Sequence, residues 1–181
     1  MGNSNSSCSS LNGVNSGKSA ISTLTSDLVN GYVFFHQCIP SNPVRVEFMI
    51  SGPKNKTHAI HIHEYGDLTK GCESLGSHFN PTRQTHGSIY VNNMPRHSGD
   101  LINNITFNNE GKFYFVYEDS TISLYPTSNL SIIGRSIVIH DKQDDLGMGV
   151  GINKQESLKT GNAGKRICCG VIGIAENKNH L

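Results

Sequence analysis

The chain has 181 residues, a formal net charge of +1 at pH 7 and 16% charged residues. Its length suits one domain of about 150 to 160 residues with a short extension, enough to bury more than half of the unfolded surface. The near-neutral charge gives no indication of an extended basic surface, so no nucleic-acid partner is expected. No apolar run is long enough to span a bilayer and no signal-peptide pattern is present, which predicts a cytoplasmic protein.

The N-terminal segment is dominated by Ser, Asn and Gly, which predicts a flexible tail over residues 1–17 and a folded domain over residues 18–181. Gly2 and Ser6 fit the N-myristoylation pattern, and Cys8 could accept the second acyl chain that stable membrane anchoring needs. An unmodified polar tail explains the same residues, because short Ser-rich segments match this pattern readily. Membrane association is therefore expected only if Gly2 and Cys8 are acylated.

After residue 18, short runs of alternating apolar and polar residues between turn signals predict β-strands. These strands are Gly31–Gln37, Val44–Ile50, Ala59–His63, Phe113–Glu118, Ser136–His140 and Gly170–Ala175. Two segments, 64–97 and 141–168, lack alternation and are too long for simple connections, which indicates functional loops. The pattern predicts an all-β fold, a Greek-key antiparallel β-sandwich or barrel of about eight strands with two long functional loops.

Metal-binding side chains are concentrated in the middle of the chain, which contains His61, His63, His78, His86, His97, Asp100 and His140. Alternate residues of a strand point to the same face, so His61 and His63 can offer both imidazoles to one ion. Imidazole suits copper and zinc, and an aspartate among histidines favours a tetrahedral zinc site. Any one of these histidines alone could be an ordinary hydrogen-bonded residue. Seven such residues in this order predict two neighbouring metal sites.

Five strings resemble the copper/zinc superoxide dismutases over nearly the whole chain after residue 17. They are HIHEYGD at 61–67, GCESLGSHFNP at 71–81, HSGDL at 97–101, IIGRSIVIHDKQDDLG at 132–147 and KTGNAGKRICCGVIGIA at 159–175. The resemblance implies an oxidoreductase that converts two superoxide anions and two protons to dioxygen and hydrogen peroxide, with copper and zinc as cofactors.

The resemblance also implies a role for each matching residue. The copper ligands would be His61, His63, His78 and His140, and the zinc ligands would be His78, His86, His97 and Asp100. His78 would then bridge the two ions as an imidazolate and carry a proton during turnover, while Arg166 guides superoxide to copper. Asp144 would orient one histidine of each site. The steering charges would be Lys154, Glu156 and Lys159, a loose match because the loop that carries them is longer than is common in the family.

The cysteines and the subunit contact follow the same resemblance. Five cysteines, an odd number, do not make a secreted disulfide framework. The resemblance implies one disulfide between Cys72 and Cys169, which leaves Cys8, Cys38 and Cys168 as expected free thiols. It further implies a homodimer with contact residues that could equally be core residues. These are Tyr65, Gly66, Ile133, Gly134, Ile172 and Ile174.

Two other functions are compatible with the fold. A catalytically silent copper- and zinc-binding decoy or interaction module would be favoured by the loss of a copper ligand or of Arg166, and the sequence lacks neither. A copper-delivery protein would need an additional cysteine motif for metal transfer. The adjacent Cys168 and Cys169 are a weak candidate, because Cys169 is already assigned to the disulfide.

Overall fold

The structure is a computed structural model that describes residues 17–177. Its strands are β1 (Lys18–Thr25), β2 (Asn30–Gln37), β3 (Val44–Ser51), β4 (Thr57–His63), β5 (Thr69–Cys72), β6 (Asn104–Thr106), β7 (Lys112–Asp119), β8 (Ser136–His140) and β9 (Arg166–Ala175). Helix α1 spans Lys154–Thr160, and short 3-10 helices span Glu73–Leu75, Ser98–Asp100 and Gly151–Asn153. Eight strands form one antiparallel sheet in the order β6-β4-β8-β9-β1-β2-β3-β7, which curls into a nearly closed barrel. The predicted all-β fold class is confirmed.

Alternation along the strands forms the core. In β3, Val44, Val46 and Phe48 are fully buried, whereas Met49, which follows Phe48 and points to the opposite face, is 44% exposed. Each buried side chain of this size stabilises the fold by about 1.5 to 3 kcal/mol relative to an exposed one. The two-residue period therefore determines which face of the sheet becomes the interior of the barrel.

All six predicted strands are confirmed, with bounds extended at one or both ends except in β8. Strands β1, β5 and β6 were not predicted. β1 lies between β2 and β9 and buries the small residues Ser19, Ala20 and Ser22. A side chain at Gly170 of β9 would come within 2.1 Å of the Thr23 carbonyl oxygen of β1. Close approach of these two strands, rather than large apolar side chains, thus characterises this pairing.

Strand β9 also corrects part of the predicted subunit contact. Ile172 is fully buried inside its own chain, whereas Ile174, two residues later, is 82% exposed. A residue without accessible surface cannot contact a partner, so the assignment of Ile172 to a subunit contact is wrong. Packing in the barrel interior explains its burial.

The two long loops follow β4 and β8. The first contains β5 and two short 3-10 helices, and the second contains α1, which ends at Gly161 in the left-handed conformation. No helix within residues 17–177 is long and apolar enough to span a membrane. Gly2, Ser6 and Cys8 lie outside the described residues, and the division into a tail over residues 1–17 and a domain over residues 18–181 stays a prediction.

Candidate metal centre

Two neighbouring strands carry three of the predicted metal ligands. β4 directs the fully buried Ile60 and Ile62 into the hydrophobic core, and His61 and His63 therefore point to the opposite face. β8 pairs with β4 and places His140 beside them, at a register shift between β8 and β9. Irregularities of this kind often change the direction of a side chain near a functional site.

The first cluster contains His61, His63, His78 and His140, which are all buried and whose ligand atoms lie within 4.8 Å of one another. The Nε2 atoms of His63 and His140 are 3.3 Å apart. Two buried ring nitrogens, His61 Nδ1 and His78 Nε2, have no hydrogen-bond partner. Since buried polar atoms are normally paired, and four imidazoles form a donor set suited to copper, these residues fit a copper ion.

The second cluster is arranged around one carboxylate oxygen. Asp100 Oδ1 lies 3.0 Å from His78 Nδ1, 3.0 Å from His86 Nδ1 and 3.1 Å from His97 Nδ1. Ligands of a tetrahedral zinc ion with bonds of about 2.0 Å are about 3.3 Å apart, so these atoms fit zinc. The other oxygen, Asp100 Oδ2, accepts backbone N–H groups of Gly87 and His97, which fixes the carboxylate.

A ligand atom of His61 also lies within 4.8 Å of ligand atoms of His78, His86 and Asp100. We assign His97 to the cluster, because its Nδ1 is as close to Asp100 Oδ1 as the other two Nδ1 atoms are. His61 directs its Nε2 atom to Asp144 instead, at 2.6 Å. His78 is then the residue shared by the two clusters, with Nδ1 beside Asp100 and Nε2 on the side of His61, at a ring-centroid distance of 3.9 Å.

Asp144 links the two clusters through hydrogen bonds to one histidine of each. Its Oδ2 atom accepts a hydrogen bond from His61 Nε2 at 2.6 Å, and its Oδ1 atom accepts one from His86 Nε2 at 2.9 Å. Asn104 binds both the backbone N–H and the carbonyl of Asp144, which holds the carboxylate in place. A side chain at Gly161 would come within 2.2 Å of Asp144 Oδ1, and Gly161 has a φ of +66°. Both the close approach and the backbone conformation require glycine there.

Burial and hydrogen bonding set the ionisation of the centre. Burial lowers the pKa of His78 to about 3 and that of His140 to about 4, and it also lowers the pKa of His61 and His63. These four rings are therefore neutral at pH 7, the form that binds a metal. Burial also opposes a charge on His86, but hydrogen bonds to Asp100 and Asp144 outweigh it and raise the pKa of His86 to about 9.

The two aspartates remain ionised. Burial alone would raise the pKa of Asp100 and Asp144, yet hydrogen bonds from the histidines lower both values well below the ordinary range. The second cluster therefore provides anionic oxygen beside three histidine rings, of which His86 must release a proton when a metal binds, whereas the first cluster provides neutral imidazoles alone. This difference in charge favours a divalent zinc ion at the second cluster and copper at the first.

An open cavity of about 780 Å³ leads to the first cluster and is lined by His63, His78, His140 and Arg166. The Arg166 guanidinium donates hydrogen bonds to the carbonyl oxygens of Cys72 and Gly76, at 2.6 and 2.5 Å. Burial lowers the pKa of Arg166, and the nearby Glu73 carboxylate raises it. The predicted Arg166 thus lies at the cavity with its guanidinium held by backbone atoms.

The predicted steering charges are only partly at this cavity. Glu156 and Lys159 line it from α1, while Lys154 is exposed and is not among the lining residues. Lys142 and Glu64 also line it and were missed in the sequence. In the sequence, Lys142 and Glu64 are marked only by being close to His140 and His63. This proximity does not predict a position at the cavity, because the path of the loops is not known from the sequence.

The cysteines follow the prediction with one exception. Cys72 and Cys169 form the predicted disulfide, with an S–S distance of 2.04 Å. Cys168 is a buried free thiol, as expected. Cys38 is disulfide-bonded, so the prediction of a free thiol there is wrong. Cys8 lies outside the described residues.

Comparisons with known proteins agree with this geometry. The family described as copper/zinc superoxide dismutase (SODC) matches residues 29–172. Superoxide dismutase 5 (Cu-Zn) of Dictyostelium discoideum is 46% identical over 158 residues, which cover 87% of this chain and 99% of that protein. The Cu-Zn enzyme of Saccharomyces cerevisiae is also 46% identical over 158 residues, with 86% and 97% coverage.

An extracellular Cu-Zn superoxide dismutase of Drosophila melanogaster is 47% identical over 146 residues, which cover 81% of this chain and 76% of that protein. The crystal structure of the clock protein EA4 superimposes with a TM-score of 0.78 at 39% identity and covers 90% of this chain and 98% of that chain. The family match covers most of the barrel, two of these relatives are 46% identical to the chain, and the paired clusters lie at one cavity. We conclude that this chain belongs to the copper/zinc superoxide dismutase family and is an oxidoreductase that dismutates superoxide with copper and zinc as cofactors.

Proposed function

We propose that His78 bridges the two metal ions of this superoxide dismutase. Copper is assigned to His61, His63, His78 and His140, and zinc to His78, His86, His97 and Asp100. The observation that carries the proposal is the placement of the two His78 nitrogens. Nδ1 lies 3.0 Å from the Asp100 carboxylate, and Nε2 is buried without a hydrogen-bond partner in the histidine cluster. An imidazole is the side chain that can bind a metal through each of two nitrogens.

Bound copper would supply the one-electron chemistry that oxidises one superoxide and reduces the next, beside a redox-inert zinc. In the residues themselves, His78 Nε2 is the atom that holds a proton for the product, because its ring stays oriented through Nδ1. Asp144 keeps the His61 and His86 rings in one orientation.

Arg166 is proposed to bind and orient the superoxide anion. Its guanidinium lines the same cavity as three histidines of the first cluster, and two backbone carbonyls hold it. A guanidinium stays charged at any relevant pH, and a fixed cation loses little conformational freedom when the anion binds. Lys159 and the newly identified Lys142 would raise the encounter rate in a salt-dependent manner.

Two substitutions test these roles. His78→Ala should lower turnover strongly and weaken zinc binding while copper binding is largely kept, as measured by metal analysis and a dismutation assay.

Arg166→Ile should reduce the rate and its salt dependence at unchanged metal content. Arg45→Ile, which removes a charge on another strand, is the matched control. Unchanged zinc affinity in the first variant, or metal loss in the second, would contradict the assigned role.

The alternative of a catalytically silent metal-binding module is not favoured. Arg166 and all seven predicted ligands lie at the candidate centre, and relatives at 46% identity are named superoxide dismutases. The alternative would regain support only if protein loaded with both metals failed to dismutate superoxide.

We further propose a homodimer through Tyr65, Gly66, Ile133, Gly134 and Ile174. Tyr65 is 55% exposed and Ile174 is 82% exposed, so both side chains offer accessible surface for a contact with a partner. Gly66 and Gly134 are close neighbours, since a side chain at Gly66 would meet the Gly134 carbonyl oxygen. These contacts support one surface formed by the first long loop, the segment before β8 and the end of β9.

For location, we propose the cytoplasm, with membrane association only if Gly2 and Cys8 are acylated. Among the relatives are enzymes named as extracellular, from Brugia pahangi and Drosophila melanogaster, so location varies within the family. Cell fractionation with mass spectrometry of the N-terminal peptide tests both parts. Recovery of the protein in the medium would contradict the first, and membrane recovery without acylation would contradict the second.

A further inference from the structure

The turn that holds Arg166 contains an acidic residue. Arg166 donates hydrogen bonds to the carbonyl oxygens of Cys72 and Gly76, and the 3-10 helix Glu73–Leu75 lies between those two residues. Glu73, the first residue of that helix, is exposed. The segment that fixes the anion-binding cation therefore also brings a carboxylate to its side.

This carboxylate acts on Arg166 through its charge. The Coulombic effect of Glu73 raises the pKa of Arg166, which burial lowers. The same negative charge also opposes the approach of an anion to the cavity. The disulfide between Cys72 and Cys169 joins this turn to β9, so the carboxylate and the guanidinium keep a fixed relation.

We propose that Glu73 weakens the positive potential at the mouth of the cavity and so slows the capture of superoxide and of other small anions alike. The inference rests on the proposed role of Arg166. The weaker field at Arg166 also reduces the binding of other small anions that compete for the same guanidinium, so Glu73 sets the strength of anion capture and not a preference for one anion. Glu73 does not line the cavity and acts on the substrate only through the field.

The test compares Glu73→Gln with Glu110→Gln, which removes the same charge at a distant position. Glu110 lies in the turn between β6 and β7, beside the start of β4, whereas the metal-binding histidines lie in its second half. The six residue steps from Thr57 to His63 span about 20 Å. The two variants have equal net charge, so a difference between them reports position alone.

The measurement is kcat/KM for superoxide against ionic strength, at matched copper and zinc content. Glu73→Gln should be about two- to threefold faster than wild type at low salt, the order of magnitude expected when one negative charge that acts across water is removed. The difference should shrink as the salt concentration rises to about 0.15 M and become small near 1 M, where the Debye length is only about 3 Å. The inhibition constant of a non-reacting anion such as azide should fall in parallel. Glu110→Gln should match wild type in both measurements.

Glu73→Lys extends the test, because the rate at low salt should rise further in the order Glu, Gln, Lys. A rate for Glu73→Gln equal to that of wild type, or a gain that persists at high salt, would overturn the inference. Failure of the proposed role of Arg166 looks different, since Arg166→Ile would then keep full rate and full salt dependence. Native disulfide and metal content in each variant exclude misfolding as the cause.

Discussion

Asp144 shows how much of this centre depends on a single side chain that binds no metal in the proposed assignment. It accepts hydrogen bonds from a ring of each cluster, and the absence of a side chain at Gly161 makes room for its carboxylate. It is also bound by the side chain of Asn103 at 3.1 Å. The orientation of two histidines from different parts of the chain thus depends on one carboxylate.

Replacement of this carboxylate should weaken the binding of zinc. In Asp144→Asn the amide oxygen can accept from only one of the two histidines, so the rings lose their common anchor. Zinc affinity should fall by about 10- to 100-fold, the usual effect of losing such a hydrogen bond. A competition titration with a zinc chelator measures it, and Asp27→Asn on an exposed turn should leave zinc affinity unchanged. Equal affinity in both variants would contradict the assigned role of Asp144.

Residue motifs indicated the candidate ligands, but contacts between distant residues could not be read from the sequence alone. The order of histidines predicted two sites, and the family resemblance assigned the ligands. The convergence of three Nδ1 atoms on one oxygen of Asp100 emerged only in three dimensions. Lys142 and Ile172 illustrate the same limit, because lining a cavity or being buried depends on neighbours that the sequence does not specify.

Among the elements, the strands with clear alternation were predictable and the short or small-residue strands were not. β3 alternates between buried apolar and more exposed residues along its whole length. β6 has only three residues, too few to show a period. β1 lies against a glycine of β9, and its buried serines look polar in a sequence window. Tertiary packing overrides local preference in such strands.

The link between β5 and β9 gives a prediction at this scale. The disulfide between Cys72 and Cys169 spans 97 residues, and in the chain-entropy model a loop of this length contributes up to about 4 to 5 kcal/mol. Cys169→Ser should therefore lower the free energy of unfolding by about 2 to 4 kcal/mol in urea. Activity should fall as well, since the carbonyls that hold Arg166 lie in the released turn. Cys168→Ala, which removes the free thiol next to it, should keep both the disulfide and the activity.

At the scale of the whole molecule, the buried histidines predict how the metal-free protein responds to acid. The folded-state pKa values of His61, His63, His78 and His140 lie below the ordinary 6.5. Between pH 6.5 and these lower values, the unfolded chain binds more protons than the folded chain, so acidification favours unfolding. The free energy of unfolding should decrease as the pH falls from about 6.5 towards 4.

His86 acts in the opposite sense. Its pKa is raised to about 9, so its contribution is complete below pH 6.5 and is lost as the pH rises towards 9. Asp100 and Asp144 have lowered pKa values and stabilise above pH 4, with loss in stronger acid. Urea unfolding of chelator-treated protein at several pH values measures the sum. Constant stability between pH 6.5 and 4 would contradict the predicted burial of neutral rings.

The proposed dimer is the second prediction at this scale. Ile174→Glu places a charge in the proposed contact, and sedimentation at micromolar concentration should show a monomer in place of a dimer. Tyr114→Glu is the control, because Tyr114 is 63% exposed on β7, which is not part of that surface. A monomeric wild-type protein, or two variants with the same assembly state, would rule out this interface.

The strand order has a consequence for how the protein folds during its synthesis on the ribosome. β9 is the last strand to emerge, yet it lies between β8 and β1 in the sheet. The proposed metal ligands, His61 to His140, are all translated before it, whereas Arg166 belongs to β9 itself. All proposed ligands are thus synthesised before the sheet can be completed, because β1 can pair with β9 only after β9 has been made. Arg166 therefore reaches its position at the cavity only once β9 has paired with β8 and β1, which makes the mouth of the cavity the last part of the site to be completed.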